Sequence, residues 1–193
     1  LPHYDYSQAG ANFVTGCTLL RKSLFGEIIN GAMRLSDAGR MVEKWWRELK
    51  NKFSTIEIDQ YAIMPNHFHG IVVIDHPPDA KKNVGAALRG RPGDGHPHRG
   101  APTLGDVVDW FKTMTTNEYI RGVKTQGWPA FPGRLWQRNY YEHVIRDERE
   151  LNLIREYIQM NPAKWAFDKE NSEAIQTPAA KKEEIENILG GRP

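Results

Sequence analysis

Several things are scarce in this chain of 193 residues, and each scarcity excludes a class of protein. Cys17 is the single cysteine, so no internal disulfide framework and no cysteine-built metal cluster can form. That fits a reducing compartment, and a cytoplasmic location is expected. No uninterrupted apolar run approaches the roughly 20 residues of a membrane-spanning helix, and no signal peptide is legible. Charge of one sign is also lacking. Lys and Arg number 26 against 24 Asp and Glu, a formal charge of +2, too little to announce a nucleic-acid binder on its own. The basic residues are spread along the chain, so a DNA-binding face would have to be assembled by folding. There are no internal repeats, and the length suits one domain with appendages.

Aromatic residues are well represented, with six Trp and seven Tyr. They could stack on bases, although most are expected in the core. Asn12 to Leu20 reads as a strand with Phe13, Thr15, Cys17 and Leu19 on one face. Asn30-Gly31, between Glu27-Ile28-Ile29 and Met33-Arg34-Leu35, predicts a tight hairpin. Ser36 reads as the N-cap of an amphipathic helix carrying Ala38, Met41, Val42, Trp45, Leu49 and Phe53 at helical spacing. Thr55 to Met64 is a second strand, broken by Pro65-Asn66. His67 to Ile74 is a third, and Ile71-Val72-Val73-Ile74 marks it as buried.

Residues 76–102 are rich in Gly, Pro and basic side chains, and read as a mobile basic loop. Thr103 and Asp106 form a capping box for the next helix. Leu135 to Ile145 holds a fourth strand. Asp147 and Glu150 cap a last helix that stops at about Asn161, before Pro162. The order predicts an α+β, ferredoxin-like βαββαβ fold: a four-stranded antiparallel sheet with two helices on one face and an additional C-terminal helix. The domain is expected to span 1–167. A charged tail over 168–193 would follow, with a peripheral helix over 181–189.

The sharpest chemical feature is His67-Phe68-His69. Alternate strand residues share a face, so both imidazoles point one way and Phe68 the other. Two neutral imidazoles can hold one divalent ion and leave positions open for phosphate and water. The plainer alternative is a pair of histidines bonded to backbone. His96-Pro97-His98 has the same spacing but no strand to orient it, and is assigned no role. On the final helix, Tyr157 and Asn161 lie one turn apart on a common face. Tyr157 could attack a phosphodiester, and Asn161 could supply an oxygen ligand to the same ion. Their plain roles would be core residue and helix cap.

Tyr61-Ala62-Ile63-Met64-Pro65-Asn66-His67-Phe68-His69-Gly70-Ile71-Val72 resembles the signature strand pair of IS200-like single-tyrosine transposases of the HUH superfamily. Leu135 to Arg146, followed by Tyr157-Ile158-x-x-Asn161-Pro162, resembles the branch called REP-associated tyrosine transposases. Tyr4 to Ala11 and Phe13-Val14-Thr15 are similar to that branch as well. The resemblance covers about Tyr4 to Trp165. It implies Tyr157 as nucleophile, His67, His69 and Asn161 around Mg²⁺ or Mn²⁺, and a reversible 5′-phosphotyrosine linkage. The implied partner is single-stranded DNA with hairpin, REP-like elements. The protein would be a monomer or homodimer, bacterial and nucleoid-associated, with no membrane partner. Glu142, His143, Arg146 and Lys112 are candidates to border the site or the DNA. Two rival readings are another HUH nuclease, of relaxase or replication-initiator type, and a non-catalytic nucleic-acid-binding module on the same scaffold. Relaxases carry the tyrosine before the histidines, and initiators place a lysine near it. Neither pattern is present here.

Overall fold

Strand alternation decides the architecture. In the computed structural model, which describes residues 9–75 and 102–171, β1 (Gly10–Cys17) lies between β5 (His67–Ile74) and β6 (Tyr141–Ile145). It is antiparallel to both, and β4 (Ile56–Ile63) flanks β5. The sheet order β4-β5-β1-β6 is the expected ferredoxin-like arrangement. Thr15 pairs with His69 on one side and Tyr141 on the other, and Phe13 with Ile71 and His143.

β1 ends earlier than the expected Leu20. Leu20 and Arg21 adopt left-handed φ of 59° and 51° in a short 3-10 turn over Leu19–Arg21, which takes the chain out of the sheet and Leu19 off the strand face. Such φ values are costly for residues with a Cβ. β2 (Gly26–Ile29) and β3 (Ala32–Leu35) form the predicted hairpin, with positive φ at both Asn30 and Gly31, as a tight primed turn requires.

α1 (Asp37–Arg47) starts where Ser36 Oγ accepts the Gly39 N–H at 3.1 Å. The single helix expected through Phe53 is instead two, because the chain bends at Glu48 before a one-turn α2 (Leu49–Lys52). α3 (Leu104–Gln126) opens on the full Thr103–Asp106 capping box and closes on Gly127 at φ 70°. α1 and α3 cover one face of the sheet. Trp46, Phe68, Phe111 and Trp136 interlock there with Val14 and Val72. Gly70 and Gly16 make room for this layer, since a Cβ at either would overlap the Trp46 indole or the Phe68 ring. Residues 135–140 are irregular and meet the end of β1 at the Thr18–Trp136 bridge, where Gln137 N–H donates to the Cys17 carbonyl at 2.9 Å and Leu19 N–H to the Leu135 carbonyl at 2.8 Å.

α4 (Glu148–Met160) packs against the opposite face, where Ile154 and Ile158 meet Phe13, Ile71 and Ile145. Asp147 Oδ1 accepts the Glu150 N–H at 2.8 Å. The Glu150 carboxylate does not complete a box with Asp147; it accepts from Arg146 N–H and contacts His143 instead. Beyond α4 a 3-10 turn over Trp165–Phe167 leads the chain back toward the end of β1. The fold therefore continues past 167, at least to Asn171. The expectations for Tyr4 to Gln8, the basic loop over 76–101, His96 and His98, and a helix over 181–189 lie outside the described residues. Among the described residues, no helix is long and apolar enough to cross a membrane.

Candidate active site

The head of β5 delivers His67 and His69 to the α4 face, and Phe68 between them goes into the opposite core. Both histidines are buried, and their Nε2 atoms are 3.0 Å apart. His67 Nδ1 lies 2.8 Å from Asn66 Oδ1. The Asn66 amide is oriented by its Nδ2, which donates to the Arg21 and Glu170 carbonyls at 3.1 and 2.6 Å. Its oxygen must therefore accept from His67, which puts the proton on Nδ1 and the lone pair on Nε2.

His69 Nδ1 lies 2.7 Å from Thr15 Oγ1. A hydroxyl works in either direction. It donates when His69 Nε2–H bonds to His67, and accepts when both Nε2 lone pairs turn to a cation. Two imidazole nitrogens 3.0 Å apart are close enough that one divalent ion would be held by both. Burial pushes the His67 imidazole down to about 4, while Asp168 and Glu170 pull the other way. Burial also holds His69 well below its ordinary value, helped by His67 and by the Lys169 charge. Both rings are neutral at physiological pH, the form that ligates metal.

Oxygen donors surround the pair. Asn161 ends α4 with its side chain buried and close enough to His67 to favour that ring's protonation. Its Oδ1 has no hydrogen-bond partner among the described residues, and neither has Asp168 Oδ2. His67, His69 and Asp168 bring ligand atoms within 4.8 Å of one another. Two neutral nitrogens and two buried oxygens fit a divalent cation, because the oxygens would otherwise stay desolvated and unpaired.

Tyr157 is half-buried on α4. Its ring is 5.3 Å from His69 and 6.1 Å from Phe13, edge-on to both. Trp165 lies 5.9 Å from His67. The structure thus brings together His67, His69, Asn161 and Tyr157 from two elements far apart in the chain.

The four border candidates separate. His143 is on the same face, one row beyond Thr15, but Glu150 Oε1 holds its Nε2 at 2.7 Å. Arg146 is exposed just past β6, its backbone N–H bonded to Glu150. Glu142 pairs with Val14 and so faces the α1/α3 side, away from the histidines. Lys112 belongs to that same side of the sheet. It sits on α3, where its ammonium donates to the Gln137 and Arg138 carbonyls at 3.1 and 3.4 Å and lies over the Tyr140 ring.

Sequence reasoning passed over Thr15 and Asn66 as partners of the histidines, and Asp168, Lys169 and Glu170 altogether. Thr15 was readable as opposite a histidine once strand register was fixed. The other contacts depend on how the chain returns after α4, and no local pattern encodes that.

No family model matches the chain. Over 169 residues it is 38% identical to an uncharacterized protein of Haemophilus influenzae, a match covering 87% of this chain and 88% of that protein. Among solved structures, a REP-associated tyrosine transposase bound to a REP hairpin aligns with a TM-score of 0.55 at 18% identity. That alignment covers 86% of this chain and 74% of the other, and the likeness is one of fold.

Proposed function

The chain belongs to one family with the Haemophilus influenzae protein and has the fold of the REP-associated tyrosine transposase, and on that footing we propose that it cleaves and rejoins single-stranded DNA near hairpins. The observation that carries the reading is the convergence of two buried imidazole Nε2 atoms at 3.0 Å beside the Tyr157 ring. A non-catalytic binding module has no need of such a costly arrangement.

His67, His69 and Asn161 would hold Mg²⁺ or Mn²⁺. When bound, the ion would draw charge from the scissile phosphate and favour attack at phosphorus. Tyr157 is the nucleophile. Its phenolic oxygen forms the new bond to phosphorus, the bond from phosphorus to the 3′ oxygen breaks, and that oxygen leaves as a hydroxyl while the phenol gives up its proton. The product is a 5′-phosphotyrosine and a free 3′ end, and attack by a 3′ hydroxyl reverses the step. α4 keeps the tyrosine within reach of the site through both steps. Asn66 and Thr15 hold the two rings in register by their Nδ1 atoms.

The test uses a labelled single-stranded hairpin oligonucleotide, Mn²⁺ and the full chain. The expected product is a protein–DNA adduct that survives SDS, with little formed on perfect duplex. His67→Ala or His69→Ala abolishes it while hairpin binding persists, because phosphate contacts and stacking carry affinity. Unchanged cleavage in both variants rejects the reading.

A further inference from the structure

We propose that Asp168 is a ligand of the ion held by His67 and His69, delivered to it by the segment that follows α4. This rests on the metal reading above and extends the site beyond the transposase-like motifs. The Asp168 side chain is 4% exposed. Its Oδ1 accepts the Glu170 N–H at 2.7 Å, a tight Asx turn that fixes the plane of the carboxylate. Its Oδ2 is thereby left 3.8 Å from His67 Nε2, too far for a hydrogen bond, and has no partner among the described residues. A carboxylate oxygen buried without a donor is unfavourable, and a cation between it and the imidazoles removes the imbalance.

The segment is anchored as if its position mattered. Glu170 Oε2 accepts from Arg21 Nε at 2.7 Å and from the Cys17 thiol at 3.3 Å. The strained Leu20–Arg21 turn presents Arg21 for this contact. Asn66 joins three parts: its Oδ1 accepts the hydrogen bond from His67 Nδ1–H, and its Nδ2 donates to the carbonyls of Arg21 and Glu170. One amide thus couples the first ligand, the β1 turn and the segment carrying Asp168. Asn171 closes the loop by donating to the Trp165 carbonyl at 3.0 Å. Glu170 is accordingly a positioning residue, acting through Asp168.

The experiment is calorimetric titration of the full chain with Mn²⁺ alone, without DNA. Wild type binds, and His67→Ala does not. Asp168→Asn keeps the shape and the Glu170 N–H acceptor but loses the charge, and is expected to weaken binding by about tenfold or more, since even outer partners of metal ligands are worth that much. Glu170→Gln weakens it less, and metal-free thermal unfolding of Asp168→Asn stays close to wild type. Wild-type affinity in both Asp168→Asn and Asp168→Ala, with binding lost in His67→Ala, overturns the proposal and leaves the histidine site standing. Absence of Mn²⁺ binding in wild type overturns both.

Discussion

The two faces of the central sheet draw on the same strands and present opposite chemistry. Toward α1 and α3, β1 and β5 offer Val14, Phe68 and Val72 to Trp46, Phe111 and Trp136 in a large apolar layer. Toward α4, the same strands offer Phe13, Thr15, His67 and His69 to a helix that contributes mainly Ile154, Ile158 and part of Tyr157. One residue along a strand changes the face, so the core ring of Phe68 stands between two candidate ligands. The division lets one face supply cohesion while the other tolerates orphaned oxygens and neutral buried imidazoles.

The largest contrast should appear on truncating Phe68. Phe68→Ala empties the interlocked layer and should cost about 3–5 kcal/mol, read from chemical denaturation. Thr15→Val, on the neighbouring strand but the other face, should melt much closer to wild type. Its effect should be a tenfold to hundredfold loss of Mn²⁺ affinity, roughly the worth of an outer partner of a metal-bound imidazole. If Thr15→Val unfolded as easily as Phe68→Ala with metal affinity intact, the division of labour would be wrong.

Acid sharpens the comparison further. In the metal-free protein His67 titrates at about 4 against an ordinary 6.5. Between those values the unfolded chain binds a proton that the folded chain refuses, so stability falls as pH drops through that window. Two carboxylates push the same way. The Arg155 hydrogen bond holds Asp59 below its ordinary value. Burial raises Glu170, but the bonds from Arg21 and Cys17 outweigh it and leave it lowered. Their stabilisation is present at neutral pH and is lost on acidification. Hydrogen exchange at falling pH should show α4 and the head of β5 opening before α1 and α3. The reverse order, or melting independent of pH, would contradict the assignment of buried neutral histidines.

What was legible in the sequence follows the range of the interaction. The Asn30-Gly31 turn, the Thr103–Asp106 box and the alternation of His67-Phe68-His69 are local, and each fixes its geometry within a few residues. The i+4 relation of Tyr157 and Asn161 is local too. The contacts that complete the pocket are not. Asn66 to Glu170 spans 104 positions and Arg21 to Glu170 spans 149, and nothing in Asp168-Lys169-Glu170 distinguishes it from a solvated charge run. Charge alone does not say which face of a sheet Glu142 serves; strand register does.

The smallest expected effect concerns the attachment of α4. Arg155 bridges to Asp59 on β4 with its Nε at 3.0 Å and Nη2 at 2.5 Å, and the two side chains are 37% and 22% exposed. Arg155→Met should shift the denaturant midpoint only slightly, since solvent screens the pair. A loss as large as that of Phe68→Ala would mean that α4 is held by charge rather than by Ile154 and Ile158.

The central claim is that Tyr157 is the nucleophile, against the rivals Tyr140 and Tyr141 that the sequence offers on the preceding strand, of which Tyr141 stands nearer the histidines. That residue lies across Thr15 from His69, is partly exposed, and has Lys169 Nζ 5.7 Å from its ring. Burial raises its phenol above the ordinary value, with Glu150 adding to the rise, which disfavours the phenolate. Mass spectrometry of the peptide linked to hairpin DNA in the presence of Mn²⁺ separates the two. The account predicts the label on Tyr157, and its disappearance in Tyr157→Phe with folding and Mn²⁺ binding retained. A DNA-linked peptide carrying Tyr140 or Tyr141, or an adduct that persists in Tyr157→Phe, would contradict it.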